Sequence, residues 1–364
     1  MSRFDLGAVN AGLRWGMKMS RRLTETFRPA AESGVAVAIG LVIGALLMLA
    51  FGYDPIRAYA ALFIGAFGNV SGILETLAFA MPLMATAVTF AVGVRASLFN
   101  IGAEGQMYIG AIGAIIVGGA VLLPAGVHPI VATVAAMCLG ALWALPAAFL
   151  KIWRGVHEVV STIMLNWIAF YFVTYLIRTY LGEPGRAERA IPALPTARYA
   201  VIGETLTTMI FVVVVFCIAV TILLWRTGIG FELRLVGDNP EAAKYAGASS
   251  SRAILVSFLI GGLAAGLAGA TQILGRPPSW TLYASLGNLL NLGFDGIGVA
   301  LIGRNHPVGG VFAAVFYGGL MQGGRFMEYN VGVASEMVDA INGIIVIALA
   351  VPAIAEIIRR RRES

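Results

Sequence analysis

Charge is what this chain has least of. Only 12% of its 364 residues are Asp, Glu, Lys or Arg, while 59% are hydrophobic. Soluble domains carry about a quarter charged residues, so a chain this poor in charge cannot cover a water-facing surface and is read as an integral membrane protein. Cysteine is nearly absent: Cys138 and Cys217 both lie in apolar runs, which excludes a disulfide framework and leaves two small packing residues. The three histidines, His128, His157 and His306, stand far apart with no Cys or His at ligand spacing, so no metal site is expected. No Gly-rich loop ends in Gly-Lys-Ser or Gly-Lys-Thr, and no Ser-His-Asp or Cys-His set converges. The chain is therefore expected to hold no nucleotide or other cofactor and to carry no catalytic residues. The basic stripe interleaved with aromatics that marks nucleic-acid binding is missing too.

What is present is a series of apolar runs. A membrane-crossing helix needs about 20 such residues, and runs near that length occupy 33–52, 72–93, 106–123, 129–150, 160–181, 206–225, 253–275, 286–303, 307–323 and 337–355. Those ten segments predict an all-α membrane protein. Residues 1–32 read as a basic tail on the inner leaflet, 33–355 as the transmembrane domain and 356–364 as a second basic tail. No cleavable signal peptide is expected, since the first 32 residues hold six basic residues and no apolar core. With the N-terminus inside, 18 of the 25 Lys and Arg fall on the cytoplasmic side, so both termini are predicted to be cytoplasmic. Residues 53–71 are too broken to span and are expected to form an outer-surface helix. Residues 182–205 are expected to be a long outer loop, either a docking surface or a solvated connection.

One short pattern occurs twice. Leu98 to Gly105 reads LFNIGAEG, and Leu289 to Gly296 reads LLNLGFDG, 191 residues later. Five spans separate the copies, an odd number, so they should face opposite sides of the bilayer, as in two five-helix inverted repeats whose pathway lies between the halves. Helix-breaking glycines beside an amide and a carboxylate are costly in a bilayer and persist only against protein or a water-filled cavity. Asn100, Glu104, Gln106, Asn291 and Asp295 are therefore candidates to line the pathway or to pin broken helices together, with Glu104 and Asp295 suited to capping half-helix N-termini. In the fifth span, Asn166 either packs against a neighbouring helix or, with Trp167, Phe170 and Tyr171 nearby, meets a sugar or nucleobase.

The loop over 226–252 is hydrophilic yet carries a helix signature, GDNPEAAKYAG. After Asp238, Asn239 is placed to cap, Pro240 suits the first helical position, Glu241 and Ala242 fill the first turn, Ala243 follows, and Gly247 closes the end. A capped two-turn helix in a membrane protein's loop points to a docking partner.

On these residues the chain resembles a permease subunit of the ribose-type ABC importers, closest to the branch that handles nucleosides and simple sugars. The stretches that carry the resemblance are ETLAFAMPLMATAVTFAVGVRASLFNIGAEGQMYIGAIGA at 75–114, HEVVSTIMLNWIA at 157–169, GDNPEAAKYAG at 237–247 and FDGIGVALIGRNHPVGG at 294–310. The resemblance implies a transport subunit rather than an enzyme, in a bacterial inner membrane. A separate ABC ATPase subunit would engage the 237–247 helix, whose Glu-Ala-Ala and later Gly have the spacing of the ATPase-engaging motif. A second permease subunit, more often a different one, and an extracytoplasmic binding protein would complete the machine. A nucleoside or simple sugar is the implied solute. Two alternatives stay open: a branched-chain amino-acid permease of the same class, and a secondary transporter driven by an ion gradient through Glu104, Asp295 and Glu75.

Overall fold

The computed structural model describes residue 35 and residues 37–348. The predicted tails over 1–32 and 356–364, and the far end of the 337–355 segment, lie outside the described residues. The chain divides into two compact units, one made of Met1–Tyr53 with Asp339–Ser364 and one of Asp54–Val338. In the first, helix α1 (Val37–Ala50) and the helical residues 339–348 are described. Their backbones meet where a side chain at Gly40 would lie 2.9 Å from the Ile345 Cα.

The second unit is helical almost throughout: α2 (Pro55–Phe67), α3 (Val70–Arg95), α4 (Ala103–Ala120), α5 (Val127–Arg154), α6 (Glu158–Leu176), α7 (Met209–Arg226), α8 (Gly228–Asp238), α9 (Pro240–Tyr245), α10 (Ser250–Leu274), α11 (Leu292–Ile302) and α12 (Pro307–Val331). The local causes are legible. Asp54 caps α2 through the Ile56 amide at 2.9 Å and Pro55 opens it, so a helix does form within 53–71, with Leu62 and Gly65 packed against Gly323 and Phe326 of α12. Asn69 caps α3 through the Gly72 amide at 2.6 Å, and Gly155 stops α5 in the left-handed region.

Five helices among the described residues are long and apolar enough to cross a membrane: α3, α5, α6 with its extension to Leu181, α7 and α10. A sixth span arises if α11 and α12, bent by 116°, are counted together. The expected span over 286–303 is shortened to the eleven residues of α11. Residues 276–291 are irregular instead, because Pro277, Pro278, Gly287 and a left-handed Asn291 interrupt any helix there.

α3 is buried almost all round from Ala78 to Gly93, and α10 is nearly as enclosed. Small residues let the neighbours close on α10. A Cβ at Gly110 of α4 would meet the Gly266 Cα at 2.5 Å, and one at Gly140 of α5 would meet the Gly262 carbonyl at the same distance. Close backbone approach through glycine is how helices pack when no water drives them together.

The connections gather at two ends of this bundle. At one end, residues 95–97 touch both Gly237 and residues 304–305, and the Phe99 amide reaches Glu158. At the other, Glu75 pairs with Arg276, and the loop from 182 to 208 rests on residues 280–284 and on α4. That loop is folded in part onto the bundle. It forms two small hairpins, β1 (Gly182–Glu183) with β2 (Arg186–Ala190) and β3 (Val201–Ile202) with β4 (Leu206–Thr207), and buries Ala190, Ala193 and Ala197. The Ala190 and Ala193 amides donate to the Leu282 and Trp280 carbonyls, each at 2.8 Å. Within the first hairpin, the Arg189 side chain holds the Glu183 carboxyl below its usual range.

Candidate functional site

The two Asn-x-Gly-x-acid-Gly segments meet inside the bundle. Glu104, in the first turn of α4 and only 2% exposed, turns its carboxylate onto the start of α11. Its Oε1 accepts from the Asn291 amide at 2.6 Å and from the Tyr108 hydroxyl at 2.5 Å, while Oε2 accepts from the Gly293 amide at 2.6 Å. A carboxylate at a helix N-terminus satisfies amides that have no partner within the helix and sits favourably in the helix dipole. Contact this close requires glycine: a Cβ at Gly293 would lie 2.4 Å from the Glu104 backbone nitrogen. Thr86 of α3 adds a third side, its hydroxyl donating to the Leu292 carbonyl at 3.1 Å, and Gly296 leaves room for it.

This meeting is well inside the bundle. α11 rises only about 16 Å over its eleven residues, and Thr86 lies nine residues, about 14 Å, short of the end of α3. The start of α4 is closed differently. Asn100 Oδ1 accepts from the Gly102 amide at 3.0 Å and from Gln106 Nε2 at 3.1 Å. Asn166 accepts from the Gly105 amide and donates to the Ile101 carbonyl, both at 2.9 Å. Asn100, Gln106 and Asn166 thus pin the approach to α4. Trp167 and Tyr171 point outward rather than gathering around Asn166. Asn291 is exposed with a left-handed backbone, and Asp295 is half-buried, accepting from the Tyr317 hydroxyl at 2.7 Å.

The second feature is the knob between α7 and α10. Asn239 caps α9 by accepting from the Ala242 amide at 3.0 Å, Pro240 opens it, Glu241 occupies the first turn, and Gly247 turns the chain at φ +81°. Asp238, Asn239, Pro240, Glu241, Ala242 and Gly247 are exposed, whereas Ala243 is buried and seats the helix. At the tip, Tyr245 is 92% exposed, an aromatic ring left uncovered.

Some of the arrangement was not evident in the sequence. α8 precedes the knob and is capped by Thr227, and Glu232 on it accepts from the Ser249 amide at 2.9 Å, tying the two sides of the loop together. Arg95 donates to the Asn305 carbonyl from Nε at 3.2 Å and from Nη2 at 3.1 Å. Lys151 pairs with Glu158 at 2.8 Å. Basic residues at two span ends, Arg95 on α3 and Lys151 with Arg154 on α5, are the sequence signal for these contacts, and positive charge at span ends is common for reasons of orientation alone. Among the described residues there is no cluster of His, Cys, Asp or Glu that could hold a metal ion.

Comparison with known proteins bears on the chain as a whole. Residues 72–350 match the family model described as branched-chain amino acid transport system / permease component. The chain is 36% identical over 337 residues to the guanosine ABC transporter permease protein NupP of Bacillus subtilis, covering 91% of this chain and 95% of that protein. It is 32% identical over 341 residues to the nucleoside ABC transporter permease protein NupB of Lactococcus lactis, covering 89% and 91%. It is 30% identical over 328 residues to the glucose ABC transporter permease protein TsgB13 of Haloferax volcanii, covering 86% and 85%.

Proposed function

The chain belongs to the branched-chain amino acid transport system / permease component family, and from that premise we propose that it is the membrane subunit of an ATP-driven importer for a nucleoside or simple sugar. The observation that carries this reading is the likeness to a guanosine permease across nine-tenths of the chain. The family's description alone would point to branched-chain amino acids. The relatives that match over most of their own lengths carry nucleoside or glucose names instead, and the scarcity of Lys and Arg within the spans suits a neutral polar solute.

In this reading the chain itself hydrolyses nothing. An ABC ATPase subunit docks on the α9 knob through Asp238, Asn239, Pro240, Glu241, Ala242 and Gly247, with Ala243 holding the helix in place. A second permease subunit, a different chain, completes the path, and an extracytoplasmic binding protein delivers solute at the other end. Residues 33–355 form the permease domain, about ten membrane helices in two five-helix inverted repeats, with both tails in the cytoplasm of a bacterial inner membrane. The bundle ends themselves are nearly balanced in Lys and Arg, and the orientation rests on counting the two basic tails with the α9 end, which gives that side 18 of the 25. Glu104 and Asn291, where the two Asn-x-Gly-x-acid-Gly segments touch, and Asp295 border the pathway. Asn100, Gln106 and Asn166 act behind them by fixing the start of α4. A separately built knob has no role in an ion-driven carrier, which is why the ion-gradient reading is not favoured.

The test is reconstitution of the chain with its ATPase, second permease and binding protein in proteoliposomes. Accumulation of radiolabelled guanosine that needs ATP and survives an ionophore is the expected result. Uptake by the chain alone under a proton gradient, or accumulation of leucine and not guanosine, overturns the reading.

A further inference from the structure

Three connections of one end of the bundle converge on residues 95–97. From the knob side, Gly237 of α8 lies so close that a Cβ there would be 2.1 Å from the Arg95 carbonyl oxygen, and its own carbonyl accepts from the Ser97 hydroxyl at 2.7 Å. From the broken-helix side, Arg95 grips the turn that follows α11. Its guanidinium reaches the Asn305 carbonyl twice, at 3.2 and 3.1 Å, and the Arg304 carbonyl at 3.4 Å. The same guanidinium lies 5.4 Å from the Trp225 ring centroid at the end of α7, and His306 packs on that ring at 4.3 Å. Arg304 and Asn305 both hold left-handed backbones, a conformation disfavoured for residues with a Cβ and kept only where neighbours fix it.

These contacts make one continuous mechanical line. It runs from α9 through Gly237 to Ser97 and Arg95, across to Asn305, up α11, and ends at the Glu104 carboxylate that caps Asn291 and Gly293. α8 and α11 are thus joined through direct contacts of Gly237 with Ser97 and of Arg95 with Asn305.

We infer that Arg95 is a positioning residue for transport: residues 95–97 form the joint through which displacement of the α9 knob moves α11, and so the contact of α11 with Glu104. The inference rests on the ATP-driven reading given above. Contiguity alone does not establish energetic coupling, which has to be read from the separation of two rates. A merely structural defect lowers ATP hydrolysis and uptake together. A broken joint leaves hydrolysis running and uncouples it from solute movement.

The experiment compares wild type, Arg95→Ala, Arg95→Lys and Gly237→Ala in proteoliposomes containing the complete complex, with guanosine-loaded binding protein. The readout is ATP hydrolysed per guanosine transported. In Arg95→Ala the ATPase still co-purifies, because the knob tip is untouched, and the ratio rises about tenfold, within the range by which residues along a coupling route shift such energies. Arg95→Lys recovers part of the loss, since an ammonium retains the charge and can reach one carbonyl. Gly237→Ala, which pushes the knob stem off residues 95–97 and leaves Arg95 intact, raises the ratio in the same direction. A wild-type ratio in both Arg95→Ala and Gly237→Ala overturns the joint. Loss of ATPase co-purification in all three variants also overturns it, because residues 95–97 would then belong to the docking seat. If Arg95→Ala does not accumulate in membranes, the other two variants decide by the same ratio. Failure of the wild type to transport guanosine with ATP is a separate outcome and counts against the importer reading itself.

Discussion

At the scale of single residues, the carboxylate of Glu104 gathers three donors on two oxygens, two of them amides of a helix 187 and 189 residues further along the chain. Replacing it with glutamine keeps the shape and turns one acceptor into a donor facing a donor. Glu104→Gln is therefore expected to cost about 1–3 kcal/mol, the penalty for an unsatisfied buried group. Thermal unfolding in detergent together with uptake in proteoliposomes checks this: unfolding at a clearly lower temperature with impaired transport is expected, and a variant indistinguishable from wild type in both would remove Glu104 from the contact. Gly293→Ala should be worse, because its new methyl would collide with the Glu104 backbone itself. By contrast a Cβ at Gly247 meets nothing within 4 Å, so alanine there suffers only from the positive φ.

At the scale of elements, legibility depended on range. α9 was readable residue by residue because a cap, an N1 proline and a closing glycine act on their immediate neighbours, and all three occur where the sequence placed them. α8 was not, since its opening Gly-Ile-Gly has poor helix propensity and its support, Glu232 on Ser249, comes from across the loop. α11 was overestimated for a related reason. Apolar composition continues through residues 286–291, but the left-handed Asn291 and the long-range cap from Glu104 set its true start. Asn239→Ala should cost about 1 kcal/mol of α9 stability. Faster hydrogen exchange at the Ala242 amide, with weaker ATPase co-purification and unchanged membrane insertion, is the expected signature. Unchanged exchange at that amide would show that the cap does not hold the helix.

At the scale of the whole molecule, the repeated motif suggested that two distant segments belong together, and the folded chain brings Glu104 of one against Gly293 of the other. The sequence could not show that the two are used differently, because that depends on which side chains fill the space around each. The grouping of connections into two ends makes a topological prediction. With Cys138 and Cys217 replaced by alanine, a cysteine introduced for Lys244 should react with an impermeant maleimide only in inside-out vesicles, and one introduced for Glu188 only in right-side-out vesicles. Both reacting from the same side would break the assignment of α9 and the β1–β2 hairpin to opposite ends.

The start of α4 is sealed by Asn100 just before it and by Asn166 of α6, neither of them on α11, whereas the start of α11 is sealed by Glu104 of α4. Any rocking that parts α4 from α11 therefore strips amides from one helix and leaves the other intact. The penalty for opening falls on a single hinge, like a door with one latch. Damage to the asparagines should show up as poor assembly, and damage to the glutamate as a door that no longer stays shut.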